Sequence, residues 1–212
     1  MELLGALIVG FFLILFLRGL FGDRSKAIGE AGEKKLRRYL NKLSDDYIVI
    51  SDLYLPTRNG TTTQVDAIVL SIYGIFVIEA KNYDSRGKGV WIFGDDSSRQ
   101  WCYCLKGGLK FYFQNPLRQN YMHIAVISEL TKIPKYKIHN LIVFTGWAEF
   151  KTPMPQNVIY EDELIPYIKK LKTPCFEQSQ ISTISENIRH YADSVTDEMK
   201  KSHIRNLKVI HG

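Results

Sequence analysis

Gln64-Val65-Asp66-Ala67-Ile68-Val69-Leu70, followed by Ile75-Phe76-Val77-Ile78-Glu79-Ala80-Lys81, decides the fold of this 212-residue chain. Each run reads as a hydrophobic strand, and only Ser71-Ile72-Tyr73-Gly74 lies between them, a turn-sized gap ending in glycine. If Ser71 and Gly74 close a two-residue hairpin, each step forward on one strand is a step back on the other. Asp66 then falls opposite Glu79, and Gln64 opposite Lys81. Side chains alternate faces with period 2, so all four project from one face of an otherwise apolar sheet. Charges on such strands are costly to bury without partners, which marks this patch as the place to look for chemistry.

Outward from the hairpin, helical and strand patterns alternate. Leu36, Leu40 and Leu43 recur at helical spacing over about 28–43, with Glu30 and Glu33 near the start of that helix. Tyr47 to Leu55 is strand material, broken by Pro56 and the Asn59-Gly60 turn signal. After the Gly-rich turn Arg86-Gly87-Lys88-Gly89 come aromatic strands near 90–93, 100–105 and 109–113. Packing of strand faces and stacking of bases are both open to these aromatics. Asn115-Pro116 is a helix start, with Asn as N-cap and Pro at the first position; the helix runs to about Thr131 and carries Gln119 and His123 on one face. A buried-type strand follows over 138–145, then a strand near 158–160, a short helix over about 161–171, and a helical stretch over 180–203.

The chain is 45% hydrophobic and carries a formal charge of +6, enough for one sizeable core and compatible with either a polyanion partner or an ordinary basic surface. Its three cysteines form no disulfide framework and no paired zinc motif, which points to a reducing compartment. Residues Leu3 to Leu17 are uninterruptedly apolar. Counted through Phe21 as a helix, with Arg18 snorkelling, the segment spans roughly 28 Å, close to a hydrocarbon core of about 30 Å. A cleaved signal peptide is the rival, but Met1-Glu2 supplies no leading positive charge and no small-x-small site follows. Arg18, Arg24 and Lys26 lie just after the run, so the expected topology is a single-pass cell-membrane protein with its globular part in the cytoplasm. The expected organisation is a transmembrane anchor (1–22), a linker (23–27), a globular domain (28–174) and a C-terminal helical extension (175–212).

The facing carboxylates of Asp66 and Glu79 are hard oxygen donors of the kind that hold Mg²⁺ or Mn²⁺. Lys81, on the same face, suits orientation of a water and neutralisation of a phosphate. Gln119 and Glu30 or Glu33 arrive from flanking helices as supporting groups. A purely structural ion network that fixes strand register stands as the alternative.

The ordered set Gly29-Glu30-Ala31-Gly32-Glu33, Gln64-Val65-Asp66, Gly74-Ile75-Phe76-Val77-Ile78-Glu79-Ala80-Lys81-Asn82 and Asn115-Pro116-Leu117-Arg118-Gln119 with His123 resembles the nuclease-related domain (NERD) family over residues 28–132. That family is a branch of the PD-(D/E)XK nuclease superfamily. The resemblance implies an α/β core in which a mixed sheet with a central hairpin is flanked by helices. It implies that Asp66, Glu79 and Lys81 are equivalents of the D…ExK signature, that Glu33 is the acidic position of the first helix with Glu30 as a second, and that Gln119 is the glutamine of the later helix. Val65 stands where the superfamily's proline would be, and the helicase, kinase and zinc-finger companions of the family have no motif here. The leading expectation is a membrane-anchored, cytoplasm-facing, Mg²⁺- or Mn²⁺-dependent nuclease, with DNA favoured over RNA. Two alternatives are a nucleic-acid-binding module with little or no turnover and a membrane interaction protein with a structural ion network.

Overall fold

A computed structural model describes residues 27–83, 90–105 and 107–211. The expected anchor, nearly all of the linker and the Gly-rich turn at 86–89 lie outside the described residues. Among the described residues no helix is long and apolar enough to cross a membrane.

The central hairpin forms with the expected turn. Strand β2 (Thr62–Ser71) pairs antiparallel with β3 (Gly74–Lys81), and Ser71 faces Gly74. Gly74 has φ +155°, and a Cβ there would sit 2.9 Å from His139 Nε2, so both backbone and space require glycine. On one side β2 pairs antiparallel with β1 (Ile48–Pro56). On the other, β3 runs parallel to β7 (Ile138–Phe144), which runs parallel to β9 (Val158–Tyr160). The five-stranded mixed sheet therefore has the order β1-β2-β3-β7-β9.

The crossover from β3 to β7 carries most of a second sheet, with strand order β6-β5-β4-β8. Its strands are β4 (Val90–Phe93), β5 (Gln100–Leu105), β6 (Lys110–Gln114) and β8 (Ala148–Phe150). Trp101 and Phe144 stack across the two sheets in a core shared with Val90, Ile92, Leu117 and Val158. The crossover ends in helix α2 (Pro116–Thr131), whose Asn115 cap accepts the amide of Leu117 at 2.9 Å.

Helices cover both faces of the main sheet. Leu36 and Leu40 of α1 (27–40) pack with Leu164 and Ile168 of α3 (Leu164–Lys169) on Ala67, Val69, Phe76 and Ile78. On the opposite face, Ile124 and Ile127 of α2 join Ile181, Ile184 and Ile188 of α4 (Gln178–Asp193) over Ile50, Ile68, Leu70, Ile75 and Val77. The isoleucines of α4 recur at helical spacing, so this segment contributes directly to the main core.

Three features differ from the sequence reading. The stretch expected as one helix over 180–203 is two, α4 and α5 (Asp197–His211); the break falls at Ser194–Thr196, where the Thr196 hydroxyl accepts the Met199 amide at 3.3 Å. Strand β8 is three residues long and carries too little periodicity to announce itself. Most consequential, β1 and β2 do not keep one alternation throughout. Ile50 faces the α2 side, but so do Leu53 and Leu55; in β2, Ile68 and Leu70 face it, and so does Val65. The phase changes at Asp52 and Asp66, which would be opposite each other and form no rung in the ladder. Asp52 has φ +53°, a left-handed conformation that turns the strand over.

Candidate metal-dependent active site

The site is a fork. Pairing between β2 and β3 extends from Ser71–Gly74 to Ala67–Ile78 and stops there, although both strands continue. Beyond that point β2 stays with β1, while β3 stays with β7 as far as Lys81–Phe144. Asp66 and Glu79 are thus the first residues past the last rung, one on each arm. Asp66 does not pair with Glu79 through the ladder; its Oδ2 accepts the Ala80 amide at 2.7 Å and bridges the opening by a side chain.

Glu79 is 3% exposed and fully engaged. Lys81 Nζ donates to its Oε1 at 2.6 Å, and His123 Nε2 lies 3.3 Å from its Oε2, an ion-pair contact with no aligned hydrogen bond. The other ring nitrogen, His123 Nδ1, is 2.7 Å from the Thr63 hydroxyl. An Nε2–H tautomer that accepts from Thr63 would turn its proton toward Glu79. Lys81 Nζ also donates to Gln119 Oε1 at 3.0 Å. Gln119 and His123, one turn apart on α2, therefore reach the Lys81–Glu79 pair together.

Local sequence explains how the helices arrive. Asn120, between those two positions, turns into the core and donates to Val77 O at 2.7 Å and to Asn140 Oδ1 at 2.8 Å, fixing α2 on β3 and β7. On the other face, a Cβ on Gly32 would come within 2.6 Å of Asn82 Cβ and 2.9 Å of Thr145 Oγ1, so glycine permits α1 to lie against the ends of β3 and β7. Asn82 Nδ2 donates to Ile28 O at 2.7 Å and ties that approach down. Glu33 is the next residue after this contact.

The charges are unevenly compensated. Burial pushes the Asp66 carboxyl up, the charge of Glu79 pushes it further, and the Ala80 amide and Lys81 only partly offset them; it lies at about 8. Glu79 is held below the ordinary carboxylate range even though burial opposes it, because Lys81 and His123 together outweigh that burial. Glu33 is raised by burial and then by Asp52, with smaller contributions from Glu30 and Glu79, while Arg37 lowers it. Carboxylates on four elements thus share one field, and two groups separated by one missing rung are driven in opposite directions.

Asp66, Glu79, Lys81, Gln119 and His123 come together at the fork, and Glu33 with Glu30 borders it electrostatically. Gln64 does not meet Lys81. Its Nε2 donates to Asp52 Oδ1 at 3.1 Å and its Oε1 accepts from Tyr54 OH at 3.1 Å, because β2 follows β1 at that point. Asp52, Thr63 and Asn120 were not apparent from spacing alone. Two of them leave traces in the sequence: the parity jump between Ile50 and Leu53 marks Asp52, and an amide on the apolar stripe of Leu117 and Ile124 marks Asn120.

A divalent cation fits the chemistry of Asp66 and Glu79. Both are hard oxygen donors, and Asp66 Oδ1 makes no hydrogen bond among the described residues. Among the described residues no three carboxylate, imidazole or thiol groups gather at ligand spacing.

The sequence profile of the nuclease-related domain matches residues 28–145. An uncharacterized protein of Bacillus anthracis, pXO1-01, is 28% identical over 186 residues, covering 84% of this chain and 83% of its own length. No solved structure matches the chain.

Proposed function

Because the chain belongs to the nuclease-related domain family, we propose that it is a metal-dependent nuclease that hydrolyses phosphodiester bonds of DNA at the β2–β3 fork. The observation that carries this reading is the convergence of Asp66, Glu79, Lys81 and Gln119 where the β2–β3 ladder ends, with Lys81 Nζ 2.6 Å from Glu79 and 3.0 Å from Gln119; the raised Asp66 and lowered Glu79 carboxyls accompany it.

Asp66 and Glu79 would hold Mg²⁺ or Mn²⁺, which when bound supplies Lewis acidity toward a phosphate oxygen and an activated water. Lys81 would orient the attacking water and offset phosphate charge, its position set by Gln119. His123, braced by Thr63, would hold Glu79 in its rotamer. Glu33 would add acidic potential from α1. The apolar run 3–17 and the basic residues after it support a membrane anchor with this domain on the cytoplasmic side. A second reading, nucleic-acid binding without turnover, draws on the full engagement of Glu79, whose two oxygens already have partners.

The test incubates the full chain in detergent with plasmid DNA, single-stranded DNA and RNA, each with Mg²⁺ or Mn²⁺, beside Asp66→Ala and Lys81→Ala. Metal-dependent cleavage, fastest on DNA and lost in both variants, is expected. Binding without cleavage in any metal would establish the second reading, and faster RNA cleavage would overturn the DNA preference. Recovery of the chain in the soluble fraction of lysed cells would overturn the anchor.

A further inference from the structure

A second concavity lies on the flank of α2 opposite Gln119. Arg99, Arg118, Tyr121 and Met122 line its wall and rim, and Asn140 and Asn157 its floor, in a groove of about 680 Å³. It is built from ordered parts. The 95–99 loop is closed by Asp95 Oδ1, which accepts from the Ser97 and Ser98 amides at 2.7 and 2.8 Å. Asn115, fully buried, donates through Nδ2 to Asp95 O and Ser98 O, and its amide donates to Arg99 O. Arg118 donates to Ser97 O at 2.8 Å with one of its five N–H groups and makes no other hydrogen bond among the described residues. The floor amides are locked as well: Asn157 Nδ2 donates to Asn140 O, and Asn140 Nδ2 donates to Leu117 O.

The chemistry of this groove is specific. Two guanidiniums outnumber the single lining carboxylate, Asp96, and Lys135 Nζ adds a third cation 4.9 Å from the Tyr121 ring. Tyr121 and Met122 are 49% and 61% exposed, an aromatic and a polarisable apolar surface beside the cations. Forked cations next to an exposed ring, over amide groups, match a phosphodiester-linked nucleotide: phosphate to arginine, base or sugar to the ring. Arg118 and Gln119 are consecutive, so the groove and Lys81 sit at one level of α2, separated by about its ~10 Å diameter.

We propose that this groove holds the nucleic-acid strand a few nucleotides from the bond aligned at Lys81, with Arg99 and Arg118 on a phosphate and Tyr121 against a base or sugar. It rests on the nuclease reading for the identity of the strand, and it accounts for substrate retention by groups outside the fork. The anion could also be a free nucleotide, a case separated by the same experiment.

The measurement is the affinity of the full chain, in detergent and EDTA, for a fluorescein-labelled single-stranded DNA, across a salt series. Arg118 is spared because it supports the loop; the variants are Arg99→Ala and Tyr121→Ala, with Lys170→Ala on the opposite face of the sheet as control. Arg99→Ala is expected to weaken binding about tenfold at low salt and to reduce the salt slope by about 0.7, the value of one single-strand phosphate contact. Tyr121→Ala is expected to weaken it about fivefold or more with the slope unchanged. Affinities of both variants within twofold of wild type, with unaltered thermal unfolding, would overturn the proposal, as would displacement of the strand by equimolar thymidine monophosphate. Cleavage assayed in parallel separates the two claims. Wild-type cleavage with groove variants indistinguishable from it removes the groove alone, whereas groove-dependent binding without any cleavage removes the nuclease reading alone.

Discussion

Replacing Asp66 by Asn should stabilise the protein in alkaline solution while abolishing the proposed nuclease activity. The Asp66 carboxyl is raised from an ordinary 3.8 to about 8, first by burial and then by Glu79. A folded-state value above the unfolded one means that the folded protein binds the extra proton between those limits. The contribution of this carboxyl to stability is therefore greatest below about pH 4 and falls as pH rises toward 8. A shift of roughly four pH units at about 1.4 kcal/mol each sets a ceiling of about 6 kcal/mol. Partial exposure of the side chain and relaxation of the fork on ionisation reduce the expected gain to about 1–3 kcal/mol at pH 9. Asn keeps an oxygen for the Ala80 amide, so the bridge across the fork survives. In a chain of this size that is roughly 2–4 °C of unfolding temperature per kcal/mol. The assay is thermal unfolding of the full chain in detergent with EDTA at pH 5 and pH 9, wild type against Asp66→Asn. The gain should be smaller at pH 5 than at pH 9, and added Mn²⁺ should narrow the pH 9 gap by stabilising wild type. A pH-independent difference, or a variant less stable at pH 9, would refute the assignment of Asp66 as the uncompensated acid.

Lys81→Met leaves the buried Glu79 carboxylate with His123 alone and should cost about 3 kcal/mol in urea unfolding. Adding Glu79→Gln to that variant should recover much of the loss, and strictly additive costs would contradict the coupling. Gly32→Ala should destabilise by about 1–3 kcal/mol and slow cleavage, because the new methyl meets Asn82 and Thr145 and displaces Glu33. Gly29→Ala in the same helix, where a Cβ meets nothing within 4 Å, should leave stability unchanged or raise it by up to about 1 kcal/mol; equal effects at the two glycines would refute the close approach of α1.

The sequence carried the hairpin and the α2 start because both depend on short-range rules, a turn-length gap between apolar runs and an Asn-Pro cap. It brought Asp66, Glu79 and Lys81 into one neighbourhood for the same reason, while Gln119 joined them through the family resemblance of its helix. Strict alternation placed Gln64 beside Lys81, and that contact is absent because β1 and β2 change phase together at Asp52 and Asp66, a non-local event that one strand read alone does not reveal. His123 stood on the correct helix face, but its contact with Glu79 depends on the Thr63 brace from a strand sixty residues earlier. The isoleucine stripe of α4 belongs to the main core because it crosses β1, a packing choice that periodicity permits without specifying. Residues 1–22 carry the anchor reading on hydropathy alone.

Initial rates of cleavage of end-labelled DNA by the full chain, at pH 8 with Mn²⁺ and then with EDTA, test the central claim most directly when wild type is set beside Glu79→Gln. Cleavage is expected only with metal, with a loss of about a hundredfold or more in the variant, because one carboxylate of the fork is gone. Cleavage that survives EDTA, or a Glu79→Gln rate within threefold of wild type, would contradict a metal-dependent centre at the β2–β3 fork.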